Sequence, residues 1–391
     1  MRDGVGLRST PSLIKGVLIN ITNRERLMKI FRGEIPDRPA VKLWALEPGQ
    51  ELLHPSYKPV YEAGMELTDL VASASSPFNL YWGRREEEVR TVRREPREGA
   101  DGEWVNVIRE IRTPEGRLRS VFQESTVGNP GYQKEYLLKE PKDIEKLFSL
   151  PYEPYPFSPD AFKEKQEEVG DRGITIFHLD HAAYGLQRLI GSEKFAIWSR
   201  RHRDLLLDAI ERFAKRIREQ INQVFEAGLT PVFGWVGPEL CIPPLMSPED
   251  FEDFVVQFDK PLVDLIHERG GYVWVHCHGN MDRVIEGFVD MGVDLLNPVE
   301  PPPMGDITLE EAFSRVGDQM GLEGNIETHE LMTAPEDRMK RLIRDALDTG
   351  SGRRFVLCPS SGYMEDPQPG ERLINNLLLY VREGVRYART L

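Results

Sequence analysis

From residue 173 to the C-terminus, short apolar runs take turns with amphipathic helical segments, and this alternation restricts the fold more than any other feature of the chain. Strand-like runs occur at residues 173–177, 229–233, 272–276, 293–296, 320–324 and 355–358, with helical patterns at 203–227, 281–291, 309–316, 335–348 and 370–389. Helix-covered parallel strands are buried on both faces and read as continuous apolar segments, which is what these runs look like. Along 203–227, Leu206, Ile210, Phe213, Ile217, Ile221 and Val224 recur at steps of three and four, the stripe of a helix packed on a core. Ser247-Pro248-Glu249 predicts a further helix start, with Ser247 as cap and Pro248 in the first turn. Adding residues 40–44 gives seven strand candidates; the eighth falls at 66–72 or near 335–349. The fold expected is an α/β (β/α)8 TIM barrel, although a doubly wound sheet would give a similar pattern.

The segment 89–124 departs from that rhythm. Its polar and apolar residues alternate, and turn residues break it at Asp101-Gly102 and Pro114-Glu115-Gly116, so antiparallel hairpins inserted on the barrel are expected. Residues 1–21 carry little periodicity and read as a loosely ordered tail before a single barrel domain over 22–391. Thr22 followed by Glu25 predicts a capping box at the first helix, which ends near Gly33.

Composition removes several function classes. With 391 residues and a formal charge of -14, the chain lacks the basic face that nucleic-acid phosphates require. No apolar stretch is long enough to span a membrane, and residues 1–20 lack the pattern of a secretory leader, so a cytoplasmic protein is expected. Cys241, Cys277 and Cys358 are too few and too scattered for a disulfide framework. Gly-x-Gly-x-x-Gly, a P-loop and a Gly-x-Ser-x-Gly elbow are all missing, leaving nucleotide binding and serine hydrolysis without a motif.

His276-Cys277-His278-Gly279 carries the densest chemistry, directly after the apolar run at 272–275. In a strand the period is two, so His276 and His278 share a side and Cys277 faces away. Such a pair can bind one divalent metal through two imidazoles, and it equally fits hydrogen-bonded core histidines. Carboxyl ends of barrel strands carry active sites. The other groups expected there are His178, Asp180 and His181; Glu239; Asn297 and Glu300; Glu323, Asn325 and Glu327; and Ser360 and Ser361. Trp44, Phe78, Tyr81 and Trp82 could line an apolar pocket or simply belong to the core.

From about Thr22 to its end, the chain resembles the uroporphyrinogen decarboxylase superfamily. The resemblance rests on Arg24-Glu25-Arg26 through Asp37-Arg38-Pro39, on Ser247-Pro248-Glu249, and on His276-Cys277-His278-Gly279-Asn280. Gly292-Val293-Asp294 leading to Glu300, Gly324-Asn325-Ile326 and Leu357-Cys358-Pro359-Ser360-Ser361 complete it. It implies a (β/α)8 barrel, and a homodimer is usual in the family. The decarboxylase branch is cofactor-free and anchors a tetrapyrrole's carboxylates with arginines of an Arg-Gln-Ala-Gly-Arg segment. Here the equivalent is Leu43-Trp44-Ala45-Leu46-Glu47-Pro48-Gly49, without an arginine. The corrinoid-dependent methyltransferase branch is the better match. There, zinc is held by His-x-Cys and a distant Cys, and a separate corrinoid protein docks over the barrel mouth.

Mapped onto this chain, that pattern keeps His276, puts His278 at the first cysteine and places Ser361 at or near the second, with Cys358 three residues earlier. The resemblance thus implies either a zinc centre of His276 and His278 with Glu239 or Cys358, or a metal-free site. The implied activity is transfer of a methyl group from a small methylated oxygen or nitrogen compound to the corrinoid partner. His276 and His278 would bind metal or donate a proton, Glu239 assist, and Asn325 with Glu300 orient substrate. Trp44, Tyr81, His178, His181 and Ser361 complete the expected substrate contacts. Two alternatives stand beside it: cofactor-free decarboxylation, anchored by arginines such as Arg84, Arg85 or Arg188, and a non-catalytic ligand-binding member.

Overall fold

Eight parallel strands curl into a barrel-like sheet, and a separate antiparallel sheet is inserted after the second of them. The computed structural model describes residues 21–97, 102–362, 364 and 366–391. Nearly all of the expected N-terminal tail, residues 1–20, and Asp101 of the expected turn lie outside the described residues. In chain order the strands are β1 (Ala40–Val41), β2 (Leu70–Ala74), β3 (Arg90–Pro96), β4 (Trp104–Thr113), β5 (Gly116–Ser125), β6 (Tyr132–Glu135), β7 (Gly173–His178), β8 (Val232–Val236), β9 (Tyr272–His276), β10 (Leu295–Asn297), β11 (Gly321–Ile326) and β12 (Phe355–Pro359).

The parallel sheet runs β1-β12-β11-β10-β9-β8-β7-β2, the cyclic order of a (β/α)8 barrel. Among the described residues no ladder joins β1 to β2. That seam is held instead by Asp69, whose backbone N–H donates to Val41 O at 2.8 Å while its Oδ2 accepts from Val41 N at 2.8 Å. Buried Arg26 and Arg38 reach the same carboxylate at 2.7 and 3.3 Å. The charge on Asp69 is therefore compensated where it is out of water.

Strand alternation sorts the core into two parts. Val41, Phe177, Phe233, Val273, Val275, Leu296, Leu322 and Leu357 face the surrounding helices. Ala40, Ile174, Ile176, Val232, Trp274, Leu295 and Val356 fill the barrel, closed by Leu27, Ile30 and Phe31 of the helix Asn23–Phe31. Gly234 makes room in that interior, since a Cβ there would lie 2.6 Å from Ile176 and 3.0 Å from the Trp274 ring.

Several expectations need correcting. The eighth strand is β2, whereas residues Glu336–Gly350 are helix, the amphipathic spacing there outweighing any strand pattern. The first strand is shorter than 40–44, because after Val41 the chain leaves the ladder and turns into a loop. At the first helix Thr22 Oγ1 accepts from Glu25 N at 3.1 Å, but the Glu25 carboxylate pairs with Arg32 instead of completing a capping box. Ser247 does form one, reciprocally with Asp250. The hairpin insertion runs past residue 124 through β6 and forms a four-stranded sheet. Its Ile108, Ile111, Leu118 and Val121 are buried, while Val92, Phe122 and Tyr132 are exposed.

Candidate active site

The inner faces of the strands change character toward their carboxyl ends. Above the apolar layer lie Lys42, Glu323 and Asn297, followed by His276 at the end of β9 and His278 in the loop beyond. Lys42 Nζ lies 2.6 Å from Glu323 Oε1, with both side chains almost wholly buried. Burial opposes the charge on Lys42, but the Glu323 carboxylate outweighs it and the pKa stays above the usual lysine value. Glu323 also accepts from Asn297 Nδ2 at 2.7 Å and from Trp274 Nε1 at 3.2 Å. Asn297 Oδ1 lies 2.5 Å from His276 Nδ1. The two residues face each other in register across β9 and β10.

His276 is 7% exposed. Its ring packs at 4.7 Å on Trp44 and 5.8 Å on Trp274, and meets His278 edge-on at 4.5 Å. Burial above all, with His278 next, depresses its pKa to about 3, so the ring is neutral throughout the ordinary pH range. Burial thus works against His276 acting as an imidazolium acid, while the neutral ring still carries one N–H and one lone pair.

His278 has the opposite character. It is half-buried, and its Nδ1 lies 3.0 Å from Glu300 Oε1. Burial works against protonation, but the hydrogen bond to Glu300 and the fields of Glu300, Glu239 and Glu327 prevail and raise its pKa. Glu300 Oε2 is in turn approached by Gly279 N at 3.4 Å. Glu239 Oε2 and Glu327 Oε1 are buried oxygens with no hydrogen-bond partner among the described residues. Burial raises the pKa of both, and with Glu300 nearby Glu327 is pushed up to about 7. Glu327 was visible in the sequence as a strand-end residue, but nothing there distinguished it from its neighbours.

The remaining expected residues divide. Trp44 lies against the His276 ring. His178 sits on the same inner face, its Nε2 3.1 Å from Ser73 Oγ and its ring 6.0 Å from Trp274, with burial and Lys42 lowering its pKa to about 4. Ser361 Oγ pairs with Thr328 Oγ1 at 2.9 Å, and Ser360 Oγ reaches Glu327 Oε2 at 3.4 Å. Asn325 and Glu327 are among the walls of a cleft of about 450 Å³ beside the mouth, together with Pro302, Met304 and Leu342; His276 and His278 are not. Tyr81 belongs elsewhere, packed on Trp82 and Phe213 with its hydroxyl donating to Gly185 O. His181 caps the helix Ala182–Ile190, accepting from Tyr184 N at 3.1 Å through Nδ1 while Nε2 lies 3.0 Å from Asp259. Both of its nitrogens are thereby committed to the fold.

A zinc site built on His276, His278 and Cys358 does not fit these donors. Cys358 is fully buried, and its thiol bonds to Glu323; burial, opposed by Lys42, raises its pKa well above the usual range, the reverse of what a thiolate ligand needs. Among the described residues, no group of three or more His, Cys, Asp or Glu side chains is arranged to hold a metal ion. Nor is any described helix long and apolar enough to cross a membrane.

Comparison with known proteins agrees with this architecture. Residues 128–371 match the family model "Uroporphyrinogen decarboxylase (URO-D)". A uroporphyrinogen decarboxylase of Prochlorococcus marinus (strain MIT 9312) is 26% identical over 159 residues, 39% of this chain and 42% of that protein. The methylcobamide:CoM methyltransferase MtaA of Methanosarcina barkeri is 26% identical over 204 residues, 52% of this chain and 57% of MtaA. The chain thus spans about half the length of these curated relatives. A methyltransferase from Methanosarcina mazei has the same fold, with a TM-score of 0.61 at 17% identity, covering 95% of this chain and 99% of that one.

Proposed function

The chain belongs to the uroporphyrinogen decarboxylase family, and we propose that it transfers a methyl group from a small methylated oxygen or nitrogen compound to a corrinoid carried by a partner protein. The observation that carries this reading is the His278–Glu300 pair at 3.0 Å, with Glu239 and Glu327 adding negative field around the ring. A methyl group on oxygen or nitrogen leaves reluctantly, because the departing alkoxide or amide is a strong base. A proton delivered to the heteroatom as the bond breaks turns it into an alcohol or amine, and general acids of this kind contribute roughly 10²–10⁴-fold. His278, whose protonation Glu300 favours, is the group we assign to give that proton. The carbon–heteroatom bond breaks, its electron pair stays on the heteroatom, and the methyl carbon passes to the acceptor. A reduced corrinoid, when its carrier docks, supplies the nucleophile that side chains lack.

Decarboxylation of a tetrapyrrole is the weaker reading on charge alone. Glu239, Glu300 and Glu327 would face a polyanionic substrate, and the arginines that could anchor it are spent elsewhere. Arg84 bonds to Glu153, Arg85 lies 2.6 Å from Glu88, and Arg188 covers the Tyr184 ring.

The test is to supply the purified chain with reduced corrinoid and a panel of methyl ethers and methylated amines, following methyl-corrinoid formation by absorbance. A donor is expected to react, with His278→Gln slowing it ~100-fold or more. Turnover of uroporphyrinogen instead, or a wild-type rate for His278→Gln, overturns the reading.

A further inference from the structure

We infer that Lys42, Glu323 and Asn297 form a buried positioning relay that holds His276 in the Nδ1–H tautomer, keeping Nε2 as the ring's hydrogen-bond acceptor. The inference deepens the proposed function by fixing the sense of the second imidazole, but it rests on contacts beneath that ring and is testable without turnover.

The argument starts at Glu323, which can only accept when ionised. Its Oε1 receives Lys42 Nζ at 2.6 Å and Asn297 Nδ2 at 2.7 Å, and its Oε2 receives Trp274 Nε1 at 3.2 Å. The Lys42 ammonium is further enclosed by the faces of Trp44 and Trp274, 5.5 and 5.4 Å from their centroids. Reversing the Asn297 amide would set its oxygen against the Glu323 carboxylate, so the NH2 must face Glu323. Oδ1 is thereby turned to His276 Nδ1, 2.5 Å away. An amide oxygen offers no proton, so Nδ1 must supply it. A neutral imidazole carries a single N–H, which leaves Nε2 with its lone pair.

Burying an ammonium and a carboxylate costs several kcal/mol for each ion, and apolar side chains of similar size would fill the space without that cost. What an apolar filling would not provide is a polarised amide with a fixed direction. The consequence reaches the mouth. His276 is an acceptor and His278 a donor, with their rings 4.5 Å apart and nearly perpendicular. A ligand that engages both through its methyl-bearing atom must offer a proton to one and a lone pair to the other, which selects donors that keep a hydrogen on that atom, such as secondary methylamines, over ethers and tertiary amines.

The experiment uses the full chain with ¹⁵N-labelled histidine at neutral pH, the His276 signals being assigned by their loss in His276→Gln. Long-range ¹H–¹⁵N spectra should show a protonated Nδ1 and a bare Nε2. Asn297→Ala should replace that single form with an averaged mixture of tautomers. If that variant does not fold, Asn297→Leu, which fills the volume without an acceptor, repeats the measurement. An Nε2–H tautomer or an imidazolium in the unmodified chain overturns the inference, as does an unmixed Nδ1–H tautomer once Asn297 is replaced. Failure of methyl transfer with the Nδ1–H form intact would count against the reaction and leave the relay standing.

Discussion

Glu300→Gln isolates the electrostatic half of the His278–Glu300 pair, because the amide keeps the shape of the carboxylate and removes its charge. A hydrogen bond to a charged group is worth ~1.5–3 kcal/mol. With the His278 side chain 34% exposed, solvent screening reduces this to about 1–1.5 kcal/mol. The His278 pKa should fall in the variant, which has lost the carboxylate that raises it. The sign for stability follows from the direction of the shift. The folded-state pKa is raised above the ordinary 6.5, so the pair's contribution is complete below 6.5 and fades as pH rises through the folded value. The variant should therefore lose ~1 kcal/mol at pH 5.5 and much less at pH 9. An NMR titration of the His278 ring reads the first quantity, and urea unfolding at the two pH values reads the second. An unchanged titration midpoint, or a stability loss equal at both pH values, would refute the assignment of charge to this pair.

Glu327 offers a second pH test. Its pKa is pushed up to about 7, so its favourable contribution is present below the ordinary 4.5 and is lost as pH rises through 7. Allowing for its partial exposure, Glu327→Gln should gain about 1–2 kcal/mol relative to the parent at pH 8 and nothing at pH 4 by denaturant unfolding, and a flat difference would contradict it. At the seam, Asp69→Ala leaves Arg38 without its carboxylate and frees Val41 N, while Arg26 keeps Asp37, and should cost ~3 kcal/mol of unfolding free energy; a loss under ~1 kcal/mol would show that the seam does not depend on this carboxylate.

The barrel rhythm was legible because each strand and helix announces itself locally. Tyr272–His276 and Leu309–Val316 fall where apolar periodicity predicts them, and the Ser247 cap needs only its next few neighbours. Period two also put His276 and His278 on one side correctly, since their rings meet. A lysine at 42 and a glutamate at 323, each set in an apolar run, were a sign of a buried ion pair that sequence reading passed over.

Tertiary structure alone decided what the polar residues do. The strand-end set looked uniform, yet His181 is bound into a helix cap and His178 faces Ser73, while Tyr81, which the sequence left between pocket and core, packs around Phe213. Cys358, plausible as a ligand by spacing, has its thiol against Glu323. The two imidazoles are shifted in opposite directions by their surroundings: burial against Trp44, Trp274 and Asn297 for one, the Glu300 carboxylate for the other. Local order is set by backbone geometry and nearest neighbours, which a sequence displays. The charge state of a side chain is set by solvent exclusion and by fields from residues far along the chain, and those exist only once the barrel has closed around them.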